Sequence, residues 1–230
     1  MTKEELLNIR VPSSTDTYSA VPHRAIIEVI QEELDRHGLT AVSEKYNTNN
    51  KGTQVIGYVD IVHPDGTNLG MRLAFRNSYD KSMSVAFVAG SLVWICGNGM
   101  ISGELQFLRK HTGSVNRELH EKVMTTIGYL DEHFRRMLFY SEVMKNRFLP
   151  REDMAKVLGK MFFQENLVTP TQLGIIKKEF KEPSFEEFRY DNLWSLYNYV
   201  TYSLREAHPI TYIEQHKNFH HFIEREFELV

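Results

Sequence analysis

The chain has one cysteine among its 230 residues, Cys96, so it cannot form an internal disulfide or a zinc site built from several cysteines. It has no run of about 18 uncharged apolar residues. Its first fourteen residues, MTKEELLNIRVPSS, lack the apolar segment of a signal peptide. We therefore expect a protein of a reducing cytoplasm that is neither secreted nor membrane-spanning and has no membrane partner.

The chain also lacks an excess of positive charge. Its formal net charge is −3, which argues against nucleic-acid binding through the charge of the whole molecule. The charges are unevenly distributed, because residues 71–117 are basic whereas residues 181–230 are acidic. The basic residues of the middle segment are Arg72, Arg76, Lys81, Arg109, Lys110 and Arg117, against Asp80 and Glu104.

The first half of the chain alternates between helix and strand signals. Ile26, Ile30 and Leu34 follow each other at helical spacing, and Gly38 ends that pattern. Beyond it the composition becomes β-branched, with turn residues between the segments. The predicted strands are 41–46, 53–63, 68–75 and 83–95, and the last is apolar on both faces.

The second half is helical in character, with apolar residues three and four positions apart from Val115 to Leu138. This spacing predicts one long helix over 114–148, followed by shorter helices. The predicted fold class is α+β: an N-terminal helix on an antiparallel meander of about four strands, followed by a C-terminal helical layer. We expect a sheet region, 1–113, and a helical region, 114–230, packed as one continuous unit.

Polar segments at 77–82 and 96–100 lie on either side of the apolar strand. The first offers amide, hydroxyl, carboxylate and ammonium groups that can hold a phosphate. The glycines on either side of Asn98 let a ligand approach the backbone closely. Turns use the same residue types for backbone reasons alone, so ordinary turn chemistry remains the alternative.

A third segment, 109–113, is basic and precedes the predicted long helix, whose first amides favour an anion. The alternative is a solvated linker in which Thr112 or Ser114 caps the helix. We assign no catalytic residue, no metal ligand and no cofactor. The candidate ligand-binding or nucleic-acid-binding residues are Arg72, Arg76, Asn77, Asp80, Lys81, Asn98, Arg109, Lys110 and His111.

Two other groups of residues contain side chains that can act as a nucleophile or as metal ligands. Cys96 is a nucleophile only if a base such as His111 lies beside it, and a small buried thiol is the alternative. His216 and His220 share a helical face, but a metal site needs at least a third ligand. A packed histidine pair is the simpler interpretation.

Several motifs occur in a characteristic order. They are RVP at 10–12, Tyr18 with VPH at 21–23, NSYDKS at 77–82, CGNGM at 96–100, RKHTG at 109–113 and LWSLYNYVT at 193–201. This order resembles a family of phage- and plasmid-borne proteins of unknown function, with its N-S-x-D-x-S, V-C-x-N-G-M and W-x-x-x-N-x-x-T patterns. Gly97 departs from it, since serine or threonine is more usual there. The resemblance implies a mobile genetic element of bacteria as the setting and supplies no activity.

Three functions remain open. The first is a non-enzymatic nucleic-acid-associated protein that binds single-stranded DNA in replication or recombination; its helix, meander and helix resemble single-strand-annealing proteins in fold alone. The second is a homo-oligomeric protein-interaction module that acts on a host protein. The third is a hydrolase that uses Cys96 and His111, for which no constellation of matched spacing is present.

Overall fold

The computed structural model describes residues 2–62, 69–93, 95, 97–102, 106–207 and 211–229. Their helices are α1 (Lys3–Leu7), α2 (His23–Arg36), α3 (Val115–Gly128), α4 (Leu130–Asn146), α5 (Arg151–Phe163), α6 (Pro170–Lys181), α7 (Leu193–Ser203) and α8 (Tyr212–Phe227). Their strands are β1 (Ala41–Thr48), β2 (Gln54–Ile61), β3 (Leu69–Ser78), β4 (Val85–Val93), β5 (Asn98–Met100) and β6 (Gln106–Arg109). The predicted α+β class is confirmed.

The chain divides into two compact units. The first comprises Met1–Gly90 and Gly103–His133, and the second comprises Ser91–Ser102 and Phe134–Val230. The expectation that 1–113 and 114–230 pack as one continuous unit stays a prediction. None of the helices in the described residues is both long and apolar enough to cross a membrane.

In the first unit, β1, β2 and β3 form an antiparallel meander in which Val55 lies opposite Asn77 and Gly57 lies opposite Phe75. Opposite residues share a face of the sheet, and these four are buried. Helix α2 lies on that face, because His23 at its start contacts Asn77. The helix contributes Ile26, Ile30 and Leu34 to the core, as their spacing predicts.

Two short strands follow β4 where turn chemistry was expected. In the first unit β6 pairs with the start of β4, so that Arg109 lies opposite Val85. In the second unit β5 pairs with the end of β4, so that Asn98 lies opposite Val93. Three- and four-residue strands are too short for periodicity to reveal. Asn98 and Arg109 therefore belong to strands rather than to loops.

The single long helix predicted over 114–148 is wrong, because the structure has two helices there. Tyr129 leaves helical geometry at φ −99° and ψ 5°, and its N–H returns to the carbonyls of Thr125 and Thr126. Gly128 precedes this break, and glycine favours the end of a helix over its interior. The spacing of the apolar residues alone does not predict this break between the two helices.

We predict that Gly57→Ala destabilises the first unit by about 1–3 kcal/mol. A Cβ at Gly57 would overlap the ring of Phe75, which is buried and cannot swing aside freely. Urea unfolding followed by circular dichroism measures the change. In the double variant Gly57→Ala, Phe75→Leu, the loss of unfolding free energy should be smaller than the sum of the losses in the two single variants. Strict additivity, or a neutral Gly57→Ala, would show that the ring moves without cost.

Candidate functional site

Four backbone segments of the first unit meet at one end of its sheet, which we call the turn end. They are the β1–β2 turn (49–53), the β3–β4 turn (79–83), the segment before α2 (15–22) and the segment before α3 (110–114). The Tyr79 N–H donates to the Thr53 carbonyl at 2.7 Å, and the Ser19 N–H donates to the His111 carbonyl at 2.8 Å. The β1–β2 and β3–β4 turns both lie at this end because the chain reverses direction at each turn of an antiparallel meander.

The Asn77 side chain joins these segments beneath the surface. Its amide nitrogen donates to the Val21 carbonyl at 2.6 Å and to Nδ1 of His23 at 2.9 Å. Its amide oxygen lies 2.6 Å from Nε2 of His111, which donates to it. The Val21 carbonyl can only accept, so it fixes the orientation of the amide and with it both imidazole tautomers. Each ring then carries its proton on Nε2.

His23 extends this network to the two turns. Its Nε2 donates to the Gly52 carbonyl at 3.1 Å, and its backbone N–H donates to the Tyr79 hydroxyl at 2.8 Å. The rings of His23 and Tyr79 stack with their centroids 3.9 Å apart. Asn77, His23 and His111 are all buried. They therefore hold the turns in place and do not line an open site.

Burial also sets the charge of the network. Desolvation lowers the pKa of His23 from its ordinary 6.5 to about 4, although the Gly52 carbonyl opposes the shift and nearby His111 adds to it. Burial lowers the pKa of His111 as well. Protonation of His23 at Nδ1 would also point its N–H at the N–H of the Asn77 side-chain amide. Both rings are consequently neutral at pH 7.

The surface above the network carries Asp80, Lys81 and Ser82. Burial alone would raise the pKa of Asp80, but hydrogen bonds from Ser82 and Gln54 outweigh it and lower that pKa. Gln54 Nε2 donates to the carboxylate at 2.7 Å. Lys81 adopts φ 64°, and its ammonium lies 4.8 Å from the centre of the Tyr18 ring. The β3–β4 turn thus presents a fixed carboxylate beside an exposed ammonium.

An open cavity of about 630 Å³ lies beside this turn, lined by Asn49, Asn50, Lys51, Thr53 and Asp80. The Asn49 side chain bonds the Thr53 backbone and hydroxyl, each at 2.9 Å, which orders the lining. The cavity offers amide, hydroxyl, carboxylate and ammonium groups together. Such a set can hold a polar ligand that carries negative charge and hydrogen-bonding edges.

The three predicted arginines lie in ion pairs or in the protein interior. Arg72 makes a two-pronged pair with Asp60, at 2.6 and 2.8 Å, on the sheet face opposite α2. Arg76 is buried on that same opposite face, by its register. Arg109 pairs with Glu118 in the first turn of α3 at 3.0 Å. Lys81 and Lys110 remain exposed at the turn end.

Asn98 belongs to the second unit, where it is buried against α7. Its amide donates to the carbonyl and side-chain oxygens of Asn198, both at 3.2 Å. Asn198 in turn donates to the Trp194 carbonyl at 2.9 Å. The CGNGM and LWSLYNYVT segments therefore meet as packing partners of this unit. Cys96 lies outside the described residues.

Sequence reasoning missed His23, Gln54 and Lys51 as parts of the turn end. The signal available for Gln54 and Lys51 was the hairpin pattern, which places the β1–β2 and β3–β4 turns at the same end of the sheet. His23 gave a signal only through the VPH segment. Among the described residues no three His, Cys, Asp or Glu side chains group as a metal site. His220 instead bonds the Tyr197 hydroxyl at 2.9 Å.

We predict that the free energy of unfolding falls as the pH drops from 6.5 to about 4, because His23 takes up a proton in the unfolded chain near 6.5 and in the folded chain only near 4. The contribution of neutral His23 to the free energy of unfolding is complete above pH 6.5 and amounts to about 3 kcal/mol. Urea unfolding across this range measures it. His23→Gln should reduce the proton uptake on unfolding by up to one. Equal pH slopes for both proteins would exclude His23 as the group responsible.

Comparison with curated proteins finds no match, and comparison with solved structures finds none either. The sequence profile of one family, described as a domain of unknown function (DUF932), matches residues 11–220. The match includes all four segments of the turn end and the two asparagines, Asn77 and Asn98, about which the buried networks are built. The chain therefore belongs to the DUF932 family.

Proposed function

We propose that this protein binds single-stranded nucleic acid at the turn end of its first unit, as a non-enzymatic protein of a bacteriophage or plasmid. The observation that carries the proposal is the placement of Lys51, Lys81 and Lys110. Each is exposed on a different turn or segment, and the buried network around Asn77 ties those segments together. Three ammonium groups carried by segments held at one end of a sheet suit the phosphates of a nucleic-acid strand.

The cavity beside the turn favours a single strand over a duplex. Its volume of about 630 Å³ lies in the range of pockets for small ligands and can receive an unstacked base. Asn50 and the Asp80 carboxylate offer hydrogen bonds to a base edge, which is accessible only when the base is unpaired. The lysines then hold the backbone while the cavity takes the base.

The charge of the chain sets the character of this binding. The net charge of −3 gives no attraction through the molecule as a whole, and the buried histidines are neutral at pH 7. Binding therefore depends on a few local phosphate contacts, and its affinity falls as the salt concentration rises. The setting we propose, replication or recombination of a mobile element in the bacterial cytoplasm, is supported by the order of motifs in the sequence.

The test is fluorescence anisotropy with a labelled oligothymidine at increasing salt, starting near 50 mM. The triple variant Lys51→Gln, Lys81→Gln, Lys110→Gln should bind at least tenfold more weakly. Its plot of log affinity against log salt should be shallower by about 2, since each phosphate contact to a single strand contributes about 0.7.

The matched control removes three lysines of the second unit, with Lys177→Gln, Lys178→Gln and Lys181→Gln. It changes the net charge equally and should leave the affinity unchanged. The proposal fails if the protein binds no oligonucleotide near 50 mM salt, or if the two triple variants lose affinity alike.

The alternatives differ in what supports them. A protein-interaction module, as a homo-oligomer or with a host protein, is favoured by exposed aromatic rings in the second unit, among them Phe148 and Phe163. A hydrolase using Cys96 and His111 has less support, because Nε2 of His111 is buried and bonded to Asn77.

A further inference from the structure

We propose that the groove between α5 and α6 binds an amphipathic helix of a partner protein, with acidic residues of that helix facing Lys177. The groove lies wholly within the second unit and shares no residue with the turn end. This inference therefore stands apart from nucleic-acid binding. Its support comes from the shape of the groove, one exposed ring, one open glycine and the local charge.

The groove has the geometry that a helix requires. Its lining residues recur at three- and four-residue steps along both helices, so that one mainly apolar face of each helix borders a cavity of about 250 Å³. An amphipathic helix fills such a groove with its own side chains at the same spacing. The lining residues are Ala155, Leu158, Gly159, Phe162, Phe163, Leu173, Ile176, Lys177 and Phe180.

The rim of the groove exposes apolar surface that folding alone leaves in water. Phe163 is 79% exposed, and its ring meets that of Phe162 edge to face at 4.9 Å between centroids. The Phe163 ring extends the apolar surface of the groove that a partner can cover. Covering it would remove apolar area from water, which favours association.

Gly159 adds a second, independent indication. It lies inside α5, where glycine is less favourable than alanine by about 1 kcal/mol. A Cβ there would meet no atom within 4 Å, so packing within this chain does not require a glycine. The missing side chain leaves the floor of the groove open to the close approach of another helix.

The positive charge of α5 and α6 indicates an acidic partner. Helices α5 and α6 carry six basic and three acidic residues, in a chain whose net charge is −3. Lys156 pairs with Glu152 at 3.1 Å, and Lys160 pairs with Glu226. Within the described part of the chain no carboxylate pairs with Lys177, which lines the groove itself. An acidic helix supplies the missing partner.

The experiment uses two synthetic, fluorescein-labelled helical peptides as probes. In both peptides leucine occupies the first, fourth, fifth and eighth positions of a repeated pattern, so that it forms one apolar face of the helix. The remaining face consists of glutamate in one peptide and of lysine in the other. Anisotropy titration of the full chain should show the glutamate peptide binding at least tenfold more tightly. No binding of either peptide up to about 100 μM would overturn the proposal.

Substitutions at Gly159 and Gly174 distinguish an effect on the groove from an effect on folding. Gly159→Leu fills the groove and should abolish peptide binding. Gly174→Leu makes the same change on α6, also with no atom within 4 Å of the new Cβ, but outside the groove lining, and should leave binding intact. Thermal unfolding should show both variants folded. Equal effects of the two variants on binding would overturn the proposal.

The charge of Lys177 gives a test that a structural role would not pass. Lys177→Glu should reverse the preference, so that the lysine peptide binds more tightly than the glutamate peptide. An unchanged preference would contradict the proposed contact. Sedimentation velocity identifies the other possible occupant: self-association that Gly159→Leu abolishes and Gly174→Leu preserves would assign the groove to a second copy of this chain and overturn the partner-helix proposal.

Discussion

The hydrogen bonds of one buried amide, Asn77, hold the first unit in the form described above. The side chain sits on the helix-covered face of β3 and uses both its nitrogen and its oxygen. Its partners come from the start of α2 and from the segment before α3, which are far apart in the sequence. A buried amide stabilises only when its polar atoms are satisfied, so the two segments are held where they satisfy it.

The second unit also has a buried asparagine that contacts a helix, but within the described residues its side chain makes its hydrogen bonds through the amide nitrogen alone. Asn98 on β5 donates to Asn198 on α7, which is buried over nearly its whole length. In both units an asparagine at a strand end joins the sheet to a helix. Uncharged amides serve this purpose better than ionised groups, because their desolvation costs less.

In the first unit the polar motifs contribute buried side chains to the structure and leave exposed side chains beside them. Asn77 and His111 come from segments that looked like ligand loops, yet their side chains face inward. The groups that remain available to a ligand are their exposed neighbours, Lys81 and Lys110, and Lys51 on the adjacent turn. Arg72 forms an ion pair with Asp60, and Arg109 forms one with Glu118. Their positive charge is therefore largely neutralised.

The sequence by itself determined the class of fold, the position of α2 and the four longer strands, because those features follow from local periodicity and turn residues. Only the tertiary structure decided that Asn77 faces the core, that β5 and β6 exist, and that α3 and α4 are separate. It also placed Lys51 beside Asp80 and paired Arg72 with Asp60. The break between α3 and α4 is local, at Gly128 and Tyr129, and the apolar spacing does not reveal it. The other features depend on partners distant in the chain, and no local pattern encodes which partner a polar side chain will meet.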